Sequence, residues 1–351
     1  METTPILIRV DGGDIIGYGH LMRSKALADG FLEKGYNVHF YSRIIDGSAE
    51  RILTSTKFTH HQIPADIEET DEAEWVLSDY YKKYQVHPQL VIVDGYHIQS
   101  SDWQIYSAHS KLLVTDAFGG KNYNSADIIY NAYTDVKELN YSTVKSSSSL
   151  LAGPLYALIR NEITKAKCSR PKIESVKAIL INGGGVDEHN VAGNVAKGLK
   201  HVPVKLWPEK AFFIVGKEYP FSDDLKLNLF DLPFAEILVE PNDWVDILRS
   251  VDLAIIAGGS TQYEATYLGT PYVSFIVEEN QLGLTRTMSE LGITLYVGWL
   301  KEKNPAEIGR IYESIVADTN GLNLRAEKGQ DLIDGKGVQR VIERCLKLIR
   351  H

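Results

Sequence analysis

Short apolar runs alternate with segments of helical periodicity along the first half of the chain. Residues 6–10 form an apolar run, and the apolar positions of 21–35 recur at the spacing of an amphipathic helix. The run 90–93 has no polar interruption, which is typical of a strand buried on both faces of a parallel sheet. This alternation predicts βαβ units with strands at 6–10, 38–41, 90–94, 111–116 and 128–131, and a further helix at 49–55.

The second half of the chain repeats this alternation. Apolar runs predict strands at 178–181, 212–216, 236–239, 253–257 and 270–275, and helical spacing predicts helices at 190–199 and 244–250. Residues 155–167 also have helical spacing, and a polar stretch follows them. We therefore predict an α/β protein of two Rossmann-like domains with a ligand cleft between them. The predicted parts are domains at 1–153 and 176–336, an interdomain segment at 154–175 and a C-terminal amphipathic helix at 337–351.

The loop after the first predicted strand delivers a histidine to the start of a helix. Gly17 and Gly19 permit positive φ or close backbone approach, and His20 follows directly. Because open parallel sheets bind ligands at the carboxyl ends of their strands, this pattern favours an active-site loop. The alternative is a tight turn in which His20 only caps the helix.

A second strand, turn and helix occupy 253–268. Backbone amides at such a helix start, with glycines that allow close approach and two hydroxyl donors, predict a diphosphate site. The residues of this turn are Gly258, Gly259, Ser260 and Thr261. Glu264, one turn into the helix, either accepts hydrogen bonds from ribose hydroxyls or interacts with the helix N-terminus. Asn280 and Gln281 follow the next strand and are expected to face the same crevice.

Two further strand ends carry candidate site residues. The loop 182–187 includes Gly184 and Gly185, whose amides could bind a ligand, although a flexible turn explains a glycine triplet equally well. Asp94 ends the apolar run 90–93, and Tyr96 and His97 follow it. His97 has two interpretations, a residue of the cleft and a surface histidine.

Composition and charge exclude several classes of protein. The net charge of −9 and the pI near 5.6 argue against a broad nucleic-acid-binding face, so an anionic ligand must be met locally. The two cysteines form neither a disulfide framework nor a metal-binding motif, as expected of a reduced intracellular protein. No spaced histidine array or Gly-x-Ser-x-Gly elbow occurs. We expect a cytoplasmic protein with no membrane span, because no segment approaches about 18 consecutive apolar residues.

Several motifs occur in a fixed order along the chain. They are Arg9-x-Asp11, Ile16-Gly17-x-Gly19-His20-x-x-Arg23, Gly153-x-x-Tyr156-Ala157-Leu158-Ile159-Arg160, the glycine loop at 182–187, Ala257-Gly258-Gly259-Ser260-Thr261-x-x-Glu264, Glu279-Asn280-Gln281 and Gly335-x-Gly337-x-x-Arg340-Val341. In this order they resemble the motifs of the PseG-type UDP-sugar hydrolases of pseudaminic acid biosynthesis, of the related spore-coat SpsG proteins and of the wider two-domain GT-B glycosyltransferases. The resemblance covers most of the chain and implies the GT-B fold.

The resemblance also implies an activity, the hydrolysis of a UDP-linked deoxy amino sugar such as UDP-2,4-diacetamido-2,4,6-trideoxy-altropyranose. His20 would deprotonate water for inverting attack on the anomeric carbon, and Tyr96 and Asp11 would orient the water or the sugar. No cofactor or metal ion is implied, because helix-end amides can stabilise a departing diphosphate. The residues implied to bind substrate or nucleotide are Gly17, Gly19, Arg23, Asp94, Arg160, Gly184, Gly185, Gly258, Gly259, Ser260, Thr261, Glu264, Asn280 and Gln281.

Two segments depart from the family pattern. The hydrolases read Asp-His-Tyr-Gly after the buried strand, whereas this chain reads Asp94-Gly95-Tyr96-His97. Gly185-Val186 also replaces the family's threonine in the glycine loop. Two alternatives therefore stay open beside hydrolysis: a glycosyltransferase, in which a sugar hydroxyl replaces water, and a nucleotide-sugar-binding protein without catalysis.

Overall fold

The computed structural model describes residues 5–13, 16–54, 58–133, 139–142 and 144–350. The chain divides into two compact units. The first consists of the residues up to Arg160 together with the C-terminal segment from Gly335, and the second consists of Asn161–Asp334. Residues 14 and 15 of the histidine loop, and residue 55 of the predicted helix 49–55, lie outside the described residues.

The first unit is built on a parallel sheet of seven described strands in the order β3-β2-β1-β4-β5-β6-β7. The central strands are buried along their whole length, because helices cover both faces of a parallel sheet. The strands are β1 (Pro5–Val10), β2 (Asn37–Ser42), β3 (Thr59–Gln62), β4 (Leu90–Asp94), β5 (Lys111–Thr115), β6 (Ile128–Asn131) and β7 (Ser149–Ala152).

Five α-helices are described in this unit: α1 (Gly19–Glu33), α2 (Gly47–Thr54), α3 (Glu72–Tyr84), α4 (Ser100–His109) and the C-terminal helix, numbered α13 (Gly337–Ile349). Helix α13 packs on α1, and a Cβ at Gly30 would meet the Ile342 side chain at 2.4 Å. Glycine therefore allows the two helices to approach closely, and the last helix of the chain supports the helix that carries His20.

The second unit has a parallel sheet of six described strands in the order β10-β9-β8-β11-β12-β13. The strands are β8 (Ala178–Asn182), β9 (Lys210–Val215), β10 (Ala235–Val239), β11 (Leu253–Ala257), β12 (Tyr272–Ile276) and β13 (Leu295–Trp299). The helices are α5 (Asn161–Lys165), α6 (Val191–Leu199), α7 (Ser222–Leu229), α8 (Trp244–Ser250), α9 (Thr261–Leu268), α10 (Asn280–Glu290), α11 (Pro305–Val316) and α12 (Thr319–Leu332).

The structure corrects some of the predicted elements. The helix predicted at 155–167 is wrong: Pro154–Tyr156 forms a single 3-10 turn, and only α5 is helical. The turn begins at Gly153, whose φ of 88° ends the preceding strand, and Ala157 leaves the helical region. Strand β7 was not predicted, and it pairs with β6 along 149–152. Strands β3 and β13 were also missed: β3 consists of polar residues, and β13 contains a glycine, Gly298.

Two histidines, His39 on β2 and His61 on the neighbouring edge strand β3, make the first unit sensitive to acid. His39 is 7% exposed and lies against Tyr80 and Tyr84, and His61 stacks beside it. Burial lowers the pKa of His39 to about 4, and burial together with the Lys83 charge lowers the pKa of His61 to about 4. Both imidazoles are therefore neutral in the folded protein at neutral pH.

We expect the free energy of unfolding to fall between pH 6.5 and pH 4. A depressed folded-state pKa means that the unfolded chain binds the protons first, so stability is full above about 6.5 and decreases on acidification. The slope is about 1.4 kcal/mol per pH unit for each histidine. Urea unfolding at pH 7, 6 and 5 measures it, and His39→Phe should flatten the dependence. An equally steep dependence in His39→Phe would contradict the prediction.

Candidate active site

The candidate site of the first unit begins where two neighbouring strands end. Val10 of β1 is paired with Asp94 of β4, so the residues that follow both strands emerge side by side at the carboxyl edge of the sheet. Asp11 follows β1 directly, and the loop after it leads into α1. This edge is where parallel α/β sheets place their ligands.

His20 and Arg23 of α1 both reach the Asp94 carboxylate. His20 Nδ1 lies 2.7 Å from Asp94 Oδ1, and Arg23 Nε donates to Asp94 Oδ2 at 2.6 Å. Arg23 Nη2 also donates to Oδ1, and Ser24 Oγ donates to Oδ2 at 3.0 Å. Asp94 and Arg23 are 2% and 5% exposed. A buried, charge-paired carboxylate therefore fixes the orientation of the imidazole.

The charges of this cluster leave His20 as a neutral base. Burial opposes the ionisation of Asp94, but the Arg23 and His20 contacts outweigh it and hold the pKa of Asp94 below its usual range. Burial lowers the pKa of His20, and the nearby Arg23 cation lowers it further, against the opposing charge of Asp94. His20 Nδ1 also lies 2.8 Å from Arg23 Nη2. In the tautomer in which Nδ1–H donates to the ionised Asp94, the lone pair of the neutral ring is on Nε2.

Two tyrosines enclose the Arg23 guanidinium. Its Nη1 donates to Tyr133 Oη at 2.6 Å and to Tyr96 Oη at 3.3 Å, and the guanidinium carbon lies over both rings. The Tyr96 ring contacts the His20 ring edge to face, with 4.6 Å between ring centroids. Burial raises the pKa of Tyr96, so its hydroxyl stays protonated. Tyr96 therefore packs directly on the candidate base.

Asp11 and His97 form a second histidine–carboxylate pair beside the first. His97 Nε2 lies 3.1 Å from Asp11 Oδ2, and Asp11 Oδ1 accepts from the amides of Arg43 and Ile44 at 2.7 and 3.0 Å. Burial opposes ionisation of Asp11, but His97 and Arg9 outweigh it and lower the pKa of Asp11. The pairs are crossed: the histidine after β1 binds the aspartate of β4, and the histidine after β4 binds the aspartate after β1.

Asp11 is 1% exposed, whereas the His97 side chain is 49% exposed. Because Asp11 is buried and its neighbour His97 is exposed, we infer that Asp11 affects a ligand indirectly, by holding the His97 imidazole. His97 is thus exposed at the surface, as one of its two interpretations had it, and its ring lies against a buried carboxylate.

The start of α1 shows that His20 is not its cap. Tyr18 occupies the N-cap position, without a side-chain capping bond, and His20 lies within the first turn. Gly17 has a φ of 81° and its amide donates to Gly13 at 2.7 Å, which closes the turn that precedes Gly19. The alternative in which His20 only caps the helix is therefore wrong.

The turn 258–261 of the second unit leaves backbone donors unused. In the part of the chain that the structure describes, the amides of Gly259, Ser260 and Thr261 donate to no protein acceptor. These three amides lie where β11 ends and α9 begins, and the side chains of Ser260 and Thr261 are half-buried. The arrangement matches the donor set of an anion site at a helix N-terminus.

A buried amide holds this turn in place. Gln262 is 0% exposed, donates through Nε2 to the Gly258 carbonyl at 2.8 Å and to Thr285 Oγ1 at 3.2 Å, and accepts from Ser274 Oγ at 3.0 Å. A Cβ at Gly258 would lie 2.8 Å from Thr285 Oγ1, so only glycine fits. The network joins the turn to β12 and α10 and fixes its geometry.

The glycine loop 182–187 has a different local role. The Asp187 carboxylate accepts from the amides of Val191 and Ala192 at 2.7 and 2.9 Å, and Asn190 Oδ1 accepts from Gly193. The first amides of α6 are therefore already satisfied within the protein. Gly184 has a φ of 105°, and its amide donates to Asn182 Oδ1 at 3.2 Å. Gly185 follows it and is exposed.

The remaining predicted residues lie on the second unit, except for Arg160. Glu264 accepts from the Trp244 indole N–H at 3.1 Å. Gln281 Oε1 accepts from the amide of Val277 at 3.0 Å, and Asn280, at the start of α10, has a buried Oδ1 without a hydrogen-bond partner. Arg160 is half-buried and is the last residue of the first unit before α5.

Sequence reasoning missed several residues that organise the two sites. Tyr133 and Ser24 bind the Arg23–Asp94 pair, and Gln262 and Trp244 hold the turn and Glu264 of the second unit. The sequence carries a signal that could have identified Ser24 and Gln262, because each is a polar residue at a position where helical periodicity predicts burial. Tyr133 and Trp244 had none, because their contacts depend on how separate loops come together.

Within the described residues, no group of three or more histidine, cysteine, aspartate or glutamate side chains could hold a metal ion. None of the helices in the described ranges combines the length and hydropathy needed to span a bilayer.

Two Rossmann-like units, each a parallel sheet between helices, define the GT-B fold. Solved structures match nearly the whole chain. MurG from Acinetobacter baumannii superposes with a TM-score of 0.67 and is 16% identical in sequence, and the match covers 98% of this chain and 99% of MurG. The structure of Anabaena HepE in complex with UDP and glucose superposes with a TM-score of 0.63 and is 12% identical in sequence, and the match covers 98% of this chain and 100% of HepE. The predicted GT-B fold is confirmed.

The sequence is similar over its length to one named protein. It is 25% identical to the spore coat polysaccharide biosynthesis protein SpsG of Bacillus subtilis over 336 residues, 95% of each chain. It is also 24% identical to an uncharacterised protein of Methanocaldococcus jannaschii over 93% of this chain and 64% of that protein. No protein-family model matches the sequence. The resemblance to SpsG is confirmed.

Proposed function

We propose that this protein is a nucleotide-sugar enzyme of polysaccharide biosynthesis, and that it hydrolyses a UDP-linked deoxy amino sugar. The observation that carries the proposal is the His20–Asp94 pair at the start of α1. A neutral imidazole whose Nδ1 is held by an ionised, buried aspartate is the arrangement of a general base.

The proposed reaction uses His20 Nε2 to take a proton from water. The water oxygen bonds to the anomeric carbon on the face opposite the nucleotide, the bond from that carbon to the β-phosphate oxygen breaks, and UDP leaves with the electron pair. Inversion at the anomeric carbon follows from this single displacement. Tyr96 packs on the base, and Asp11 contributes through His97.

We assign the nucleotide to the second unit. The unused amides of the 258–261 turn can receive a diphosphate, whose negative charge the N-terminus of α9 also favours. The hydroxyls of Ser260 and Thr261 and the unpartnered Oδ1 of Asn280 add polar groups. Glu264, which accepts from the Trp244 indole, is placed to accept a hydrogen bond from a ribose hydroxyl. Arg160 and the 184–185 turn complete the proposed binding residues.

The similar proteins support this proposal at the level of substrate class. SpsG is named for spore coat polysaccharide biosynthesis, and solved structures of the same fold include HepE with UDP-glucose and Staphylococcus aureus MnaA with UDP. The fold thus hosts UDP-sugar binding in other proteins, and the His20 cluster supplies the proton-transfer residue that hydrolysis needs.

Gly259→Ala is expected to weaken UDP binding without weakening the fold. A Cβ at Gly259 meets no protein atom within 4 Å, but it would project where a phosphate approaches the amides. Calorimetry should show about a tenfold higher Kd for UDP, or about 1.4 kcal/mol, with an unchanged melting temperature. Gly47→Ala, at another open helix start, is the matched control. Unchanged UDP affinity in Gly259→Ala would place the diphosphate elsewhere.

The proposed function is tested by acceptor-free turnover. The purified protein is incubated with UDP-2,4-diacetamido-2,4,6-trideoxy-altropyranose in water, and UDP and free sugar are quantified. Equal amounts of both are expected. Release of UDP only after a sugar acceptor is added would indicate a glycosyltransferase, and UDP binding without release under either condition would indicate a binding protein.

A further inference from the structure

An exposed aromatic ring stands beside the His20 cluster. Phe118 follows β5 at the same edge of the sheet, and its side chain belongs to the exposed large apolar residues, at 48%. Its ring contacts the Tyr96 ring edge to face, with 5.3 Å between centroids, and Tyr96 in turn packs on His20. The three rings form a continuous row that ends in an apolar group open to solvent.

Polar contacts hold the loop of Phe118 in place. The buried Asp116 carboxylate accepts from the amides of Phe118 and Gly119, at 3.4 and 2.9 Å, and from Tyr141 Oη at 2.7 Å. Lys121 Nζ donates to the carbonyls of Tyr96 and Ile98, at 2.9 and 3.3 Å, and joins this loop to the one after β4. The ring is therefore presented by a fixed backbone.

The chemistry of this row limits what it can recognise. Tyr96 Oη accepts from Arg23 Nη1, and Phe118, at the exposed end of the row, has no polar group, so this end offers a ligand an apolar ring surface. A face of this kind gains free energy by covering apolar groups and gains none by covering a hydroxyl. On a sugar, the groups that fit it are methyl groups, as in deoxy and N-acetylated sugars.

We propose that Phe118, backed by Tyr96, is a specificity-determining residue that selects UDP-sugars bearing methyl substituents over fully hydroxylated ones. The inference rests on the proposed function and deepens it, because it names the methyl substituents as the feature of the sugar that the first unit recognises. An apolar contact of this size discriminates by about tenfold to a hundredfold, which is the range for a methyl-sized group in an apolar site.

The test compares a methyl-rich with a methyl-free ligand in Phe118→Ala and Phe118→Leu. The kcat/KM and the Kd are measured for UDP-diacetamido-trideoxy-altrose and for UDP-glucose. In Phe118→Ala the methyl-rich ligand should lose about tenfold, while UDP-glucose should change less than twofold. Phe118→Leu, which keeps an apolar side chain, should recover most of the loss. Phe230→Ala, which removes an 86% exposed ring on the second unit, is the matched control.

The outcomes separate this inference from the proposed function. Equal effects on both ligands, or no effect on either, would overturn the role of Phe118 even when the wild type hydrolyses its substrate. When the wild type releases no UDP, the hydrolase proposal fails, and the ratio of the two Kd values still decides whether Phe118 reads methyl groups.

Discussion

His20→Ala is expected to lower the rate of UDP release by about 10²–10⁴-fold, the usual contribution of a positioned general base. The reason is geometric as well as chemical. Asp94 holds Nδ1 of the imidazole at 2.7 Å, and Tyr96 packs on the ring, so Nε2 is the ring nitrogen left to take the proton. The loss should appear mainly in kcat, because UDP affinity is assigned to the second unit.

The pH dependence of the wild-type rate should report the same residue. Burial and the Arg23 charge lower the pKa of His20, so the imidazole is neutral and active at neutral pH. The rate is expected to fall only on the acid side, where His20 becomes protonated. His20→Ala should lose this acid limb together with the activity.

The control for this variant is His201→Asn, which alters an exposed histidine on the second unit. It should leave kcat and the melting temperature unchanged. Full UDP release by a folded His20→Ala protein would contradict the assignment of the base, and an equal loss in His201→Asn would show that the assay reports something other than His20.

Asp94→Asn is expected to destabilise the first unit by about 3–5 kcal/mol, the cost of leaving a buried charge without its partner. Arg23 is 5% exposed and donates to both carboxylate oxygens, and Ser24 and His20 contact the same group. An asparagine keeps the volume but cannot neutralise the guanidinium. It also ceases to fix the Nδ1–H tautomer of His20, so activity should fall in parallel.

Urea unfolding at pH 7 measures this loss. Asp94 has a depressed pKa, so its contribution to stability is present above the unfolded pKa near 4 and is lost on acidification below it. Asp29→Asn is the matched control, since it breaks the partly exposed Lys25–Asp29 pair on the same helix and should cost less than about 1 kcal/mol. A loss in Asp94→Asn no larger than in the control would show that the Arg23–Asp94 pair does not stabilise the fold.

The elements that position the site were predictable from local patterns. The uninterrupted apolar run 90–93 specified a strand buried on both faces, and glycines around position 17 specified the turn before α1, because both signals act through neighbouring residues. The helix predicted at 155–167 was wrong for the same reason. The helical spacing of these residues carries no information on the Gly153-Pro154 turn or on the tertiary contacts that interrupt the helix.

The contacts within the site were much less predictable. The crossing of His20 to Asp94 and of His97 to Asp11 depends on the register of β1 against β4, which no local pattern encodes. The enclosure of Arg23 by Tyr133 depends on a loop more than a hundred residues away. The amide of Gln262 behind Gly258 has the same origin, because it is fixed only when β12 and α10 are packed.

The most direct test of the central claim is acceptor-free turnover of the UDP-sugar by the wild-type protein in H₂¹⁸O, followed by mass spectrometry of both products. Attack of water on the anomeric carbon predicts one ¹⁸O atom in the released sugar and none in UDP. Label in UDP would show that the phosphate bond is cleaved, and the absence of both products would show that water is not the acceptor; either result would contradict the account.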